Sequence, residues 1–101
     1  MKKKKSKPVD YEDLLTEQMQ EPVFRGLYYQ YYTRIRLGLS LRQARRTAKI
    51  TQKELAQRIN KPVLYIREIE RGDCIELTIN ECVQIGNVLN HTIKVDMVEI
   101  D

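Results

Sequence analysis

The stretch from Thr51 to Gly72, TQKELAQRINKPVLYIREIERG, constrains the fold more than any other part of the chain. Thr51 lies three residues before Glu54, a spacing that lets each residue cap the other's backbone amide at a helix start. Pro62 fits the first turn of a second helix, where its missing N–H group costs nothing. Asn60 and Gly72 tolerate the left-handed conformation that ends many helices. Two short helices joined by a tight turn are therefore predicted.

Apolar residues recur at helical spacing on both sides of this turn and predict which faces are buried. The first helix offers Leu55, Ala56 and Ile59, and the second offers Ile66 and Ile69. A helix pair of this kind is the supersecondary unit that can place its second helix in the major groove of DNA.

Length and composition bound the rest of the chain. A chain of 101 residues is expected to form one domain with tails, and 42% apolar residues is ordinary for a globular protein. No long apolar run occurs, and the start MKKKKSKPVDYEDL lacks the apolar segment of a signal peptide, so a cytoplasmic location is expected.

The net charge of +4 conceals a strong segregation of charge along the chain. Residues 2–7 hold five lysines, residues 10–21 hold five acids and no base, and residues 25–53 hold eight bases and no acid. A single run of this kind is most simply a solvated face, but alternating blocks often mark interaction surfaces. The basic block leads into the helix pair, which suits a phosphate backbone. Residues 1–9 are expected to be a disordered basic tail.

An amphipathic helix is predicted from Asp10 to Met19, with an apolar stripe and an acidic opposite face. Its apolar stripe contains Tyr11, Leu14 and Leu15. Because so short a helix is marginal alone, it needs a partner surface. Its acidic face favours a basic partner, although packing on its own domain is the alternative.

A second, aromatic helix is predicted to start at Pro22. It contains Phe24, Leu27, Tyr28 and Tyr31. Aromatic residues this dense beside arginines are enriched in protein interfaces, so an interface is favoured over a core. Gly38 and Ser40 are expected to bend or break this helix before the core begins.

Thr78 and Glu81 repeat the capping pattern and predict a last helix that ends at Asn90. Its inward face is expected to hold Ile79, Cys82, Ile85, Gly86 and Leu89. Ile93, Val95 and Met97 then alternate with polar residues, which predicts a strand. A lone strand is unstable in water, so it must pair with another chain or a symmetry mate.

The segments LRQARRTAKITQKELAQRIN, KPVLYIREIERG and LTINECVQIGNVLN together resemble the helix-turn-helix domain of the Cro/phage-repressor (XRE) family over residues 39–90. The flanks EPVFRGLYYQYYTRIRLGLSLRQARR and HTIKVDMVEI resemble those of HigA-type antitoxins. The resemblance implies an all-α fold: a compact four- to five-helix repressor-like domain, an N-terminal helical extension at 10–38 and a short C-terminal β-strand at 91–101.

The resemblance further implies the antitoxin of a type II toxin–antitoxin pair. Such a protein binds a RelE/HigB-like toxin, a small basic mRNA endonuclease, and represses its own operon at a palindromic DNA operator. It would act as a homodimer or as a toxin–antitoxin heterotetramer. The acidic segment suits a basic toxin. The toxin-binding residues are expected to be Tyr11, Leu14, Leu15, Phe24, Leu27, Tyr28 and Tyr31.

Family positions also imply residue roles within the helix-turn-helix. Arg45 and Glu70 match positions that pair across two helices, so a salt bridge is expected. DNA contacts are expected at Thr51, Gln52, Lys53, Lys61, Pro62, Val63, Leu64, Arg67 and Arg71. The chain departs from the family at Pro62-Val63-Leu64, where a Ser or Thr cap followed by Gln and Ser is usual. Val63 can contact only thymine methyl groups, which leaves Arg67 as the best base reader.

Two alternative functions stay open: a stand-alone phage- or plasmid-type transcriptional repressor, and a protein-interaction module whose DNA face has decayed. An enzyme is not expected. His91 is the only histidine, and the chain shows no nucleophile–base pair, metal-ligand cluster or phosphate-binding glycine loop. No cofactor is expected either.

Overall fold

The computed structural model describes residues 11–74 and 76–99. These residues form five helices: α1 (Tyr11–Gln18), α2 (Pro22–Thr47), α3 (Gln52–Arg58), α4 (Val63–Arg71) and α5 (Ile79–Leu89). The chain divides into two compact units at the boundary between Tyr32 and Thr33, which lies inside α2. The basic tail expected at residues 1–9 lies outside the described residues.

Helices α3 and α4 form the pair predicted from Thr51 to Gly72. The Thr51 hydroxyl accepts a hydrogen bond from the Glu54 amide at 3.0 Å, and the Glu54 carboxylate accepts one from the Thr51 amide at 2.9 Å. Asn60, with φ of 58°, follows α3 in the left-handed conformation. Pro62 is the N-cap of α4 rather than its first residue, because its ψ of 151° is extended. The helix itself begins one residue later, at Val63.

Helix α2 is continuous over 26 residues, and the break expected at Gly38 and Ser40 is wrong. Gly38 is buried against the backbone of α4. A Cβ atom at this position would collide with the carbonyl oxygen of Ile69 and lie 2.8 Å from that of Glu70. A glycine inside a helix costs about 1 kcal/mol relative to alanine. Here its missing side chain lets two helices touch, so the packing offsets that cost.

The core of the second unit is apolar and joins four helices. Leu41 comes from α2, and the other members are Leu55, Ala56, Ile59, Ile66, Ile69, Ile85 and Leu89. Leu55 and Ile66 are completely enclosed. The inward face expected for α5 is correct at Ile85, Gly86 and Leu89. It is wrong at Ile79, which is 79% exposed. Ile79 is the first residue of α5, and the residues of this helix that are buried lie nearer its C-terminal end, from Ile85 onward.

The strand expected at residues 91–101 is absent from residues 91–99, the part of that segment the structure describes. Met97 is fully exposed, and Val95 and Val98 are largely so. The alternation of polar and apolar residues is a real pattern, but a strand also needs a neighbouring strand for its hydrogen bonds. The described residues of this chain offer no such neighbour.

Candidate functional site

A buried ion pair fixes α4 to α2. The Arg45 guanidinium donates to the Glu70 carboxylate from Nε at 2.6 Å and from Nη2 at 3.1 Å. Its Nη1 donates to the carbonyl oxygen of Ile50 at 3.0 Å. The Glu70 side chain is 1% exposed, and the Gln52 amide also donates to it, at 3.0 Å. Helices α2, α3 and α4 therefore meet at one carboxylate.

The surroundings of Glu70 keep it ionised. Burial alone would raise the pKa of this carboxyl group, but hydrogen bonds from Arg45 and Gln52 and the charges of Arg45 and Arg42 lower it further than burial raises it. Arg42 lies 3.7 Å from the carboxylate and keeps nearly half of its side chain exposed. The network therefore holds its charge at neutral pH and anchors the inner face of α4.

The outer face of α4 carries the residues expected to read bases. Leu64 is 52% exposed, and Arg67 and Arg71 are exposed one and two turns further along the helix. Val63 instead packs against the core and is half-buried. The apolar surface available to a thymine methyl group is therefore that of Leu64 rather than Val63, because the amphipathic face of α4 turns Val63 inward.

Two of the basic residues expected at DNA already have acidic partners. The Arg71 guanidinium donates to the Asp73 carboxylate at 3.0 Å, and both side chains are exposed. The Lys61 ammonium lies 3.0 Å from a Glu81 carboxylate oxygen and 5.1 Å from the centre of the Tyr65 ring. A phosphate must compete with these partners, and it does so most readily at Arg71, because the Arg71–Asp73 pair is exposed and exposed ion pairs are weak.

The start of α3 presents the remaining expected DNA contacts. Lys53 is exposed and points away from the core. The side chains of Thr51 and Gln52 are engaged within the domain, the first as a helix cap and the second with Glu70. Of these three expected contacts, Lys53 is therefore the basic one, and its side chain is exposed.

The first unit, residues 11–32, presents aromatic rings and acids on its surface. No residue in this range is buried. The ring of Tyr28 lies 6.4 Å from that of Phe24, 6.3 Å from that of Tyr32 and 5.5 Å from that of Tyr29, measured between centroids. We call these four rings, Phe24, Tyr28, Tyr29 and Tyr32, the aromatic cluster. Tyr29 and Tyr32 were not among the expected site residues, although the spacing 24, 28 and 32 marks one helix face.

The other expected toxin contacts lie beside the aromatic cluster in sequence and are accessible. Tyr11, Leu14, Leu27 and Tyr31 are exposed, and Leu15 is half-buried. Acids on α1 accompany them, with Glu12 and Asp13 in its first turn. Glu21 has a different role, because its carboxylate accepts hydrogen bonds from the amides of Val23 at 3.0 Å and Phe24 at 2.8 Å and so caps α2.

Within the described part of the chain, no group of three or more His, Cys, Asp or Glu side chains is arranged to hold a metal ion. Every helix in that part is also too short or too polar to cross a lipid bilayer.

A family model described as helix-turn-helix matches residues 41–93, just over half of the chain and the whole span from Leu41 of α2 to the residues that follow α5. No curated protein sequence matches the chain. The matched span contains the buried ion pair, the capped α3 and the exposed face of α4. The chain belongs to the Cro/C1-type (XRE) helix-turn-helix family of DNA-binding transcriptional regulators.

Proposed function

We propose that this regulator is the antitoxin of a type II toxin–antitoxin pair. Its residues 11–32 bind a RelE/HigB-like toxin, a small basic mRNA endonuclease, and its helix-turn-helix represses the operon that encodes both proteins. The observation that carries the proposal is the surface of residues 11–32, where apolar and aromatic side chains are exposed beside acids and no residue is buried.

The apolar surface argues for a protein partner. Val23, Leu27 and Tyr31 follow each other at four-residue spacing on α2, and each is more than half exposed. An amphipathic helix gains most of its stability by burying such a stripe. Because residues 11–32 have no core of their own, a second protein is the surface that would bury it.

The charge argues for a basic partner. Helix α1 carries Glu12, Asp13 and Glu17 and no basic residue. A nuclease that binds RNA needs a positively charged surface, and an acidic helix complements such a surface. Covering the RNA-binding face of the toxin is enough for inhibition, so the antitoxin needs no chemistry of its own.

The DNA-binding function rests on the outer face of α4. Arg67 can donate two hydrogen bonds to guanine in the major groove, and Leu64 can contact a thymine methyl group. Lys53 contacts phosphate, and Arg71 does so when it leaves Asp73. Acting as a homodimer or within a toxin–antitoxin heterotetramer, the protein would bind a palindromic operator with half-sites about 34 Å apart.

Co-expression with the product of the neighbouring gene tests the antitoxin role. We expect that product to arrest growth when expressed alone, and this chain to relieve the arrest and co-purify with a small basic protein. The double variant Leu27→Glu/Tyr31→Glu should lose both effects, because it places two charges in the apolar stripe. Leu39→Glu is the control, since Leu39 is another leucine of α2 that is more than half exposed and lies outside residues 11–32.

The double variant and Arg67→Ala together separate the two functions. Leu27→Glu/Tyr31→Glu should still bind a duplex from the promoter upstream of its gene, whereas Arg67→Ala should still relieve the growth arrest. If the neighbouring product is harmless and nothing co-purifies, but promoter binding persists, the protein is a stand-alone repressor. If a partner binds and no promoter duplex does, it is an interaction module.

A further inference from the structure

Residues on one face of α2 contact the C-terminal half of α4 at three places. Arg34 donates from Nε to the carbonyl oxygen of Gly72 at 3.0 Å. Gly38 lies against the carbonyl groups of Ile69 and Glu70. Arg45 holds the Glu70 side chain. Positions 34, 38 and 45 are spaced by four and seven residues, so they share one face of α2.

The two contacts at the end of α4 involve its main chain. Gly72 ends the helix in the left-handed conformation, with φ of 80°. Its amide donates to the carbonyl oxygen of Ile69 and the next amide donates to that of Glu68, the pattern that satisfies the last carbonyl groups of a helix. The Arg34 guanidinium adds a cation at this negative end of the helix dipole. A Cβ atom on Gly72 would lie 2.7 Å from the Ile35 side chain, so α2 approaches closely here too.

We propose that Arg34 and Gly38 are positioning residues that set the sequence discrimination of this regulator by fixing the depth and angle of α4 against α2. The inference rests on the assignment of α4 as the base-reading helix. Neither residue would touch DNA. They act through the main chain of α4, whose opposite face carries Leu64, Arg67 and Arg71.

Different DNA contacts respond differently to a small displacement of α4. A bidentate hydrogen bond to a base edge depends on distance and angle and weakens steeply when either is wrong. Attraction to phosphates depends chiefly on the number of charges and tolerates small shifts. Displacing α4 should therefore reduce the preference for one sequence while leaving non-specific affinity and its salt dependence intact.

The chain offers a matched control for Gly38→Ala. The new methyl group would meet backbone carbonyl groups of α4, which cannot rotate away as a side chain could. Gly26 lies in the same helix, and a Cβ atom there meets nothing within 4 Å. Gly26→Ala makes the same chemical change without the clash. Arg34→Ala removes the donor to Gly72, and Arg34→Lys restores a donor and its charge.

The preference can be measured on the full chain by fluorescence anisotropy. The probes are a duplex that the unaltered chain selects from a random-sequence library and a scrambled duplex of the same composition. Among variants whose circular dichroism shows a folded chain, we expect Gly38→Ala and Arg34→Ala to lower the ratio of the two affinities about tenfold. The affinity for the scrambled duplex and its salt slope should not change. Gly26→Ala should match the unaltered chain, and Arg34→Lys should recover most of the ratio.

The outcomes separate this inference from the proposed function. If a folded Arg34→Ala chain keeps its preference, or loses both affinities in proportion, the positioning role is overturned. Should Gly38→Ala not fold, Arg34→Ala and Arg34→Lys decide the question alone. If the unaltered chain selects no sequence, the base-reading assignment of α4 fails, and this inference fails with it.

Discussion

Arg45 holds Glu70 through two hydrogen bonds, at 2.6 Å and 3.1 Å, and so joins α2 to α4 across 25 residues of sequence. The carboxylate is almost fully enclosed and also accepts from Gln52 of α3. Replacing both partners of such a pair by apolar residues is often harmless, but removing only one leaves a buried charge without compensation. The pair therefore specifies one arrangement of three helices.

The Arg45→Ala variant is expected to lower the free energy of unfolding by about 3–5 kcal/mol, because Glu70 would stay buried without its main partner. Urea unfolding followed by circular dichroism measures the change. Arg71→Ala is the control, since it breaks an exposed ion pair with Asp73 and should cost at most about 1 kcal/mol. Equal effects of the two substitutions would contradict a structural role for the buried pair.

The two capping boxes give a second test of stability. Thr51→Ala and Thr78→Ala should each lower the free energy of unfolding by about 1 kcal/mol, because each removes the side-chain acceptor for an amide at a helix start. Thr47→Ala, in the exposed last turn of α2, is the control and should change it by less than about 0.5 kcal/mol. The three variants can be compared by the same urea titration. If Thr51→Ala or Thr78→Ala lowers the free energy of unfolding no more than Thr47→Ala does, that threonine does not stabilise its helix as a cap.

Acid should destabilise the second unit in a defined range of pH. The Thr78 amide donates a hydrogen bond to the Glu81 carboxylate, and the Lys61 ammonium lies 3.0 Å from it. Together they lower the pKa of Glu81 to about 2. The pKa of Glu70 is lowered as well. A carboxyl group with a lowered pKa in the folded state contributes stability above its unfolded pKa, about 4.3, and loses it as the pH falls through its folded pKa.

The unfolding temperature should therefore fall as the pH is lowered from about 4.5 to 2. Glu81→Gln should flatten this dependence, because the amide cannot ionise. Glu76→Gln, at an exposed carboxylate, serves as the control. A Glu81→Gln chain that loses stability with acid as steeply as the unaltered chain would show that Glu81 does not couple folding to pH.

DNA binding should separate Arg67 from Lys53. Arg67→Ala is expected to reduce the preference for the selected duplex by about 1–3 kcal/mol, because a base contact is lost. Lys53→Ala should weaken binding to all duplexes alike and lower the salt slope by about 1, since one phosphate contact is removed. Anisotropy titrations at several salt concentrations measure both. If Arg67→Ala weakens all duplexes equally, Arg67 contacts phosphate rather than a base.

Much of the helix-turn-helix could be predicted because its signals are local. Thr51 and Glu54 are three residues apart, and the buried Ile66 and Ile69 follow the period of a single helix. The rules of capping and helical spacing act within one or two turns, so a short stretch of sequence contains all the information they need. The aromatic helix face of residues 24–32 could be predicted for the same reason, although Tyr29 and Tyr32 were not included among the expected site residues.

The tertiary structure decided what depends on residues distant in sequence. The low helix propensity of glycine predicts a break at Gly38. Only the packing of Gly38 against the backbone of α4 explains why α2 is unbroken. Arg34 meets Gly72 across 38 residues, and no local rule predicts that contact. The alternation after Thr92 likewise defines two faces without supplying a partner strand. Local sequence determined the caps and the apolar faces of α3 and α4, whereas packing between distant segments decided that α2 continues through Gly38, which helices touch and how α4 is held.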